Sequence, residues 1–132
     1  ITDSEHASIS NTAEVLSSRG FEIVSIPTKG GSLDLEAIEK EAGKGVCLAS
    51  FMLVNNETGA AYDVKSAGAL IKARCPEAIL HIDATQSYMK MPISQRALDA
   101  DMITVSSHKI HGPKGVGALF ISDAVIRDLI FV

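Results

Sequence analysis

Tryptophan is absent from this 132-residue chain, and the other aromatics amount to two Tyr and four Phe. Aromatic platforms on which bases could stack are therefore scarce. Positive charge is short as well: 12 Lys and Arg stand against 16 Asp and Glu, a net charge of −4 with no basic block. Together these shortages argue against a nucleic-acid surface. No apolar run approaches the roughly 20 residues that a helix needs to cross a bilayer, so no membrane partner is expected. Only two cysteines occur, Cys47 and Cys75, and their spacing matches no metal-ligand pattern, so no metal is expected. Cys47 lies inside the apolar run Val46-Cys47-Leu48-Ala49 and is expected in the core, whereas Cys75 precedes Pro76 and is expected at a helix end, at most half-buried. Two unpaired thiols fit a reducing, cytoplasmic setting.

What remains is a globular profile, 46% hydrophobic and 21% charged, long enough for one domain with a modest core. The chain opens at Ile1 without an initiator methionine and stops on the apolar pair Phe131-Val132, and it is expected to be a piece of a longer protein.

Periodicity divides the chain into alternating elements. Residues 6–19 place Ala7, Ile9, Ala13, Val15 and Leu16 near a helical period, closed by Gly20. Phe21, Ile23, Val24 and Ile26 read as a strand that Pro27 stops, and Lys29-Gly30-Gly31-Ser32 reads as a turn. Asp34 is placed to cap a helix that carries Leu35, Ile38 and Ala42 on one face. The nearly continuous apolar run 46–54 predicts a strand covered on both faces. Asp63 is placed to cap a second helix, with Val64, Ala67 and Ile71 inward, ending near Cys75-Pro76. Strands are predicted at 78–82, 102–105 and 115–121, with an irregular stretch and a helical turn at 97–100 between the first two. A last helix, capped by Ser122 or Asp123, is predicted to run to Leu129. The alternation implies an α/β fold: a mostly parallel sheet, right-handed crossovers and helices on both faces.

In such sheets ligands bind beyond the carboxyl ends of the strands. Three polar clusters directly follow predicted strands: Asn55-Asn56, Asp83 to Gln86, and Ser106-Ser107-His108-Lys109. Each residue has an ordinary reading taken singly. Asp83 could cap a turn, Asn55-Asn56 is a turn signal, His81 is a strand residue, His6 opens a helix, and Gly112-Pro113-Lys114-Gly115 is a loop without the spacing of a nucleotide-binding loop. Their convergence on one rim is harder to explain by packing. A desolvated lysine can attack a carbonyl, so Lys109 could hold an aldehyde. Were the aldehyde pyridoxal phosphate, its ring nitrogen would need an acid partner such as Asp83. Its phosphate would need donors such as Ser106, Ser107 or His108, and its ring oxygen an amide such as Asn56 or Gln86.

The stretch Ser106-Ser107-His108-Lys109-Ile110-His111-Gly112-Pro113-Lys114-Gly115-Val116-Gly117 resembles the lysine motif of the cysteine desulfurases, in the class V branch of fold-type I pyridoxal-phosphate enzymes. Val54-Asn55-Asn56-Glu57-Thr58-Gly59, His81-Ile82-Asp83-Ala84-Thr85-Gln86-Ser87 and the segment from Thr2 to His6 resemble three further blocks of that family, in the same order. The resemblance implies part of the large domain of a pyridoxal-phosphate transferase, without the amino-terminal phosphate-binding segment or the small carboxy-terminal domain. It implies that Lys109 forms the Schiff base and shuttles the substrate's α-proton, that Asp83 pairs with the pyridine nitrogen and that His6 stacks on the ring. Gln86 would contact the phenolic oxygen, Asn56 would lie near it, and Ser106 and His108 would bind the phosphate. The implied reaction turns cysteine into alanine and passes sulfur to an enzyme cysteine, with a homodimer and a sulfur-acceptor protein as partners and iron–sulfur assembly as one destination. Two departures stand out. Ser107 occupies a position where many members have glycine, and neither Cys47 nor Cys75 aligns with the family's persulfide cysteine, which lies beyond the lysine and outside this chain. Other class V activities, a selenocysteine lyase or an aminotransferase, share these cofactor residues, and a folded but inactive module is the reading from a different class.

Overall fold

The computed structural model describes residues 1–128. Helix α1 spans Ala7–Ser18 with His6 as its N-cap, the imidazole Nδ1 accepting from the Ser8 amide at 3.2 Å. Gly20, at φ +93°, turns the chain out of the helix. Of the stripe expected to face the core, only Ala13 is buried, and Val15 stays half exposed. The strand expected over 21–26 does not form. Only Ile26 makes a parallel bridge, to Thr2, with the Ile26 amide donating to Ile1 O and the Asp3 amide to Ile26 O, both at 2.9 Å. Beyond that bridge the segment beside Ile26 meets the backbone of this stretch only at Val24, whose carbonyl accepts from the Ile1 amino group at 3.1 Å. Phe21 and Ile23 are left exposed.

A small antiparallel hairpin follows, β1 (Thr28–Lys29) and β2 (Ser32–Leu33), turning through Gly30 and Gly31, both at positive φ. Helix α2 (Leu35–Ala42) is capped as expected, Asp34 Oδ1 accepting from the Ala37 amide at 3.0 Å, and it buries Ile38 and Ala42. Strand β3 covers Leu48–Met52, shorter than the apolar run that predicts it. Cys47 therefore falls before the strand and is exposed, contrary to its expected place in the core. Apolar neighbours in sequence did not bury it, because the sheet's cover begins only at Ala49. Helix α3 (Val64–Arg74) starts on Asp63, whose Oδ1 accepts from the Ser66 amide at 3.0 Å, and buries Val64, Ala67 and Ile71. It ends at a half-buried Cys75, whose thiol donates to Ala42 O.

Strand β4 is Ile79–Asp83, helix α4 is Gln95–Leu98, strand β5 is Met102–Ser106 and strand β6 is Gly117–Ile121. Helix α4 begins before the turn expected at 97–100 because Ser94 caps it, accepting from the Ala97 amide at 3.1 Å. A 3-10 turn over Ser107–Ile110 follows β5, and helix α5 (Asp123–Asp128) follows β6. The expected end of that helix at Leu129 lies outside the described residues.

The four strands lie in the order β3-β4-β5-β6, with β3/β4 and β4/β5 parallel and β5/β6 antiparallel. This is the mostly parallel α/β sheet that the sequence implies. Phe51, Ile82 and Ile103 are in register across one face and buried. Helix α3 packs on that face so closely that a Cβ at Gly68 would stand 2.4 Å from Leu80 Cδ2, and α2 and α4 pack against α3. The opposite face carries Ser50, His81, Asp83 and Thr104.

Candidate functional site

Because β3, β4 and β5 run the same way, their last residues, Met52, Asp83 and Ser106, share one rim. A cavity of about 250 Å³ opens there. Asn56, Asp83, Gln86, Ser106, His108 and Lys109 border it, His6 reaches it from the start of α1, and Met52 and Val54 give it an apolar floor. All seven residues singled out from the sequence thus lie around one space, although they come from four separate stretches of chain.

Each is held by local chemistry. Asp83 is buried, and its Oδ1 accepts from the Thr85 amide at 2.9 Å, which fixes the carboxyl as the chain leaves β4. Its own carbonyl accepts from the Leu53 amide at 2.9 Å and ties the ends of β4 and β3 together. The Ser106 hydroxyl lies 2.6 Å from His108 Nδ1, pairing the last residue of β5 with the 3-10 turn. Lys109 is half-buried within that turn. The turn closes through His111 at φ +63° and the Gly112 amide, which donates to Ser107 O at 2.9 Å. Gly112 is required there, since a Cβ would stand 2.8 Å from Ser107 Cβ and 3.0 Å from Ser107 O. Ser107 itself does not border the cavity. Its hydroxyl donates to Pro113 O and locks the loop, which shows how a serine is accommodated at this position.

Asn56 is exposed on a loop that its neighbour builds. Asn55 is buried, its Oδ1 accepting from the Glu57 and Thr58 amides at 2.9 and 2.8 Å and its Nδ2 donating to Ser4 O at 3.1 Å. In the sequence Asn55 reads as a turn signal and as part of a strand-end polar cluster, and neither Glu5 nor Tyr62 is given a role. Their partners lie about 50 positions away along the chain, and no local pattern announces them.

Behind Asp83 runs a polar row. His81 is buried, with Nδ1 2.7 Å from Ser50 Oγ and Nε2 2.7 Å from Thr104 Oγ1. Burial pushes its imidazole below the ordinary histidine value, and the charge of nearby Asp83 offsets this by a smaller amount. His81 does not border the cavity. The ordinary strand role read from the sequence is what the structure gives it, with both ring nitrogens satisfied.

An amine, a carboxyl, two amides, two imidazoles and a hydroxyl around a small cavity can hold a carbonyl compound that also carries a ring nitrogen and an anionic group. Among the described residues no group of three or more His, Cys, Asp or Glu is placed to hold a metal ion. No helix of the described residues is long and apolar enough to cross a membrane.

Comparison with known proteins adds to this geometry. The sequence model of the family "Aminotransferase class-V" matches residues 1–130. The cysteine desulfurase IscS of Pasteurella multocida is 40% identical over 119 residues, covering 89% of this chain and 29% of that relative. Among solved structures, a NifS-like protein superposes with a TM-score of 0.88 at 36% identity, covering 92% of this chain and 34% of that one. SspA in complex with cysteine superposes with a TM-score of 0.87 at 32% identity, covering 98% of this chain and 37% of that one. The chain thus spans about a third of the length of the proteins it matches.

Proposed function

This chain belongs to the class-V aminotransferase family, and from that membership we propose that it forms the lysine-bearing part of a pyridoxal-phosphate-dependent cysteine desulfurase. The observation that carries the reading is the cavity at the strand ends, bordered by residues fit to hold each part of that cofactor. When bound, the cofactor supplies an electron sink for charge that develops at the α-carbon of an amino acid. Lys109 Nζ would hold it through its aldehyde carbon and would move the substrate's α-proton. The Asp83 carboxyl would keep a proton at the ring nitrogen, without which the sink is poor. His6 would stack on the ring. The Gln86 amide would serve the phenolic oxygen, with Asn56 near it. Ser106 and His108, already paired with each other, would bind the phosphate.

The overall change is cysteine plus an enzyme thiol giving alanine plus an enzyme persulfide: the substrate's C–S bond breaks and a new S–S bond forms. Cys47 precedes β3, at the end of the sheet away from the cavity, and Cys75 closes α3. Neither borders the cavity, so the receiving thiol is assigned to a part of the protein beyond this chain. A homodimer, a sulfur-acceptor protein in iron–sulfur assembly and a cytoplasmic setting complete the proposal. In this reading the chain, about a third of the matched relatives' length, is assigned to the cofactor-binding large domain.

The test is made on the full-length protein. It is expected to show the visible absorption of lysine-bound pyridoxal phosphate and to release alanine and sulfide from cysteine in the presence of a thiol reductant. Lys109→Ala and Lys109→Arg are both expected to lose the absorption, the latter because a guanidinium keeps its protons. Bound cofactor with no alanine formed from cysteine would reject the desulfurase reading in favour of another class V activity.

A further inference from the structure

Glu5 stands immediately before His6, and nothing so far gives it a part. Its Oε1 is the meeting point of three donors: Thr2 Oγ1 at 2.8 Å, the Met52 amide at 3.0 Å and the Thr2 amide at 3.4 Å. The Met52 amide explains why an acceptor is needed. Within its sheet, among the described residues, β3 has only β4 as a neighbour. Amides alternate in direction along a strand, and the next one, Leu53, donates to β4 at Asp83 O. The Met52 amide therefore faces away from β4, at the carboxyl end of the strand, and Glu5 satisfies it. Two more bonds fasten the same segment to the same place. Asn55 Nδ2 donates to Ser4 O at 3.1 Å, and the Ser4 and Tyr62 hydroxyls lie 3.0 Å apart.

The other carboxyl oxygen, Oε2, is fully enclosed and has no partner, the one buried side-chain polar atom in that condition among the described residues. Burial pushes the Glu5 carboxyl above its ordinary value, against the hydrogen bonds from Thr2 and Met52 that pull it down. An enclosed oxygen left unsatisfied is a cost that a merely decorative glutamate would avoid by turning outward.

We propose that Glu5 is a positioning residue for His6: by bridging the Thr2 turn to the Met52 amide, its Oε1 fixes the backbone of the next residue so that the imidazole stands on the wall of the cavity that also holds Asp83 and Lys109. Glu5 touches no reacting atom. The bridge needs reach and an acceptor, not a negative charge. The functional consequence rests on the cofactor role proposed above for His6, whereas the bridge itself does not.

Three substitutions in the full-length protein separate reach from charge. Glu5→Gln keeps both reach and acceptor, Glu5→Asp keeps the charge but is one methylene short, and Glu5→Ala removes the bridge. Hydrogen–deuterium exchange of the cofactor-free protein is followed over residues 1–8 and at Met52, and visible circular dichroism is followed after adding pyridoxal phosphate. Glu5→Asp and Glu5→Ala are expected to exchange about tenfold faster or more in both segments. They are also expected to show an altered visible dichroism, with Glu5→Gln close to the parent in both. If Glu5→Ala folds poorly, the contrast between Asp and Gln carries the test. Unchanged exchange in Glu5→Asp would overturn the proposal, as would a Gln variant that behaves like Ala. So would faster exchange with the dichroism of bound cofactor left intact. A parent protein with no visible band at all would instead defeat the cofactor reading, and the exchange arm would still decide the bridge.

Discussion

At the scale of single residues, Asp83 and His81 show how one strand serves two ends. They sit two positions apart on the same face of β4, yet Asp83 borders the cavity and His81 is sealed behind it between Ser50 and Thr104. Asp83→Asn in the full-length protein is expected to leave cofactor attachment at Lys109 intact and to slow turnover by orders of magnitude, because an amide cannot keep the ring nitrogen protonated. Unchanged kcat with normal visible absorption would refute the role. His81 leads to a statement about pH. Its folded imidazole titrates below the ordinary value because it is buried. The unfolded chain therefore binds a proton there first, at about pH 6.5, while the folded protein does not. The stability linked to this group is present above that pH and is lost as the pH falls below it. Urea midpoints measured from pH 7.5 down to 5 are expected to decline, and His81→Gln is expected to flatten the decline.

At the scale of elements, the Lys109 turn depends on Gly112. Replacing it with alanine drives a methyl group against Ser107 Cβ and Ser107 O. The expected cost is about 1–3 kcal/mol, as for overpacking elsewhere, read as a lower melting temperature together with weaker binding of pyridoxal phosphate. What the sequence reveals is likewise a matter of elements. The caps at Asp34 and Asp63 and the Gly30-Gly31 turn were legible because a short side chain or a positive φ acts within three or four residues. The rim was legible because polar clusters follow apolar runs and parallel strands end together. Residues 21–26 misled, since alternation records a preference for extended backbone but not whether a neighbouring strand exists to receive its hydrogen bonds. Cys47 misled in a similar way: burial is decided by what covers the sheet, and an apolar run does not report its cover. The bridge from Glu5 to Met52 and the bond from Asn55 to Ser4 were invisible because these partners are set by tertiary placement.

At the scale of the whole molecule, the sheet is unevenly covered. Among the described residues strand β6 has β5 on one side only, and Leu119 and Phe120, which point to opposite faces of the sheet, remain 48% and 44% exposed. Apolar side chains left exposed on both faces of an edge strand mark surface that meets more protein. The 132-residue chain on its own is therefore expected to self-associate. Sedimentation velocity at about 100 µM should show oligomers, and a single monomeric species would contradict this.

The β5–β6 hairpin has one more consequence, which concerns time. The turn that carries Lys109 is closed by antiparallel partners separated only by residues 107–116, whereas the fastenings of the His6 segment join positions 47, 51 and 58 apart. Closing a short loop sacrifices less chain entropy than closing a long one, and near pairings form sooner. Topology thus favours early closure of the loop that carries Lys109, and later closure of the bonds that join the His6 segment to the end of β3.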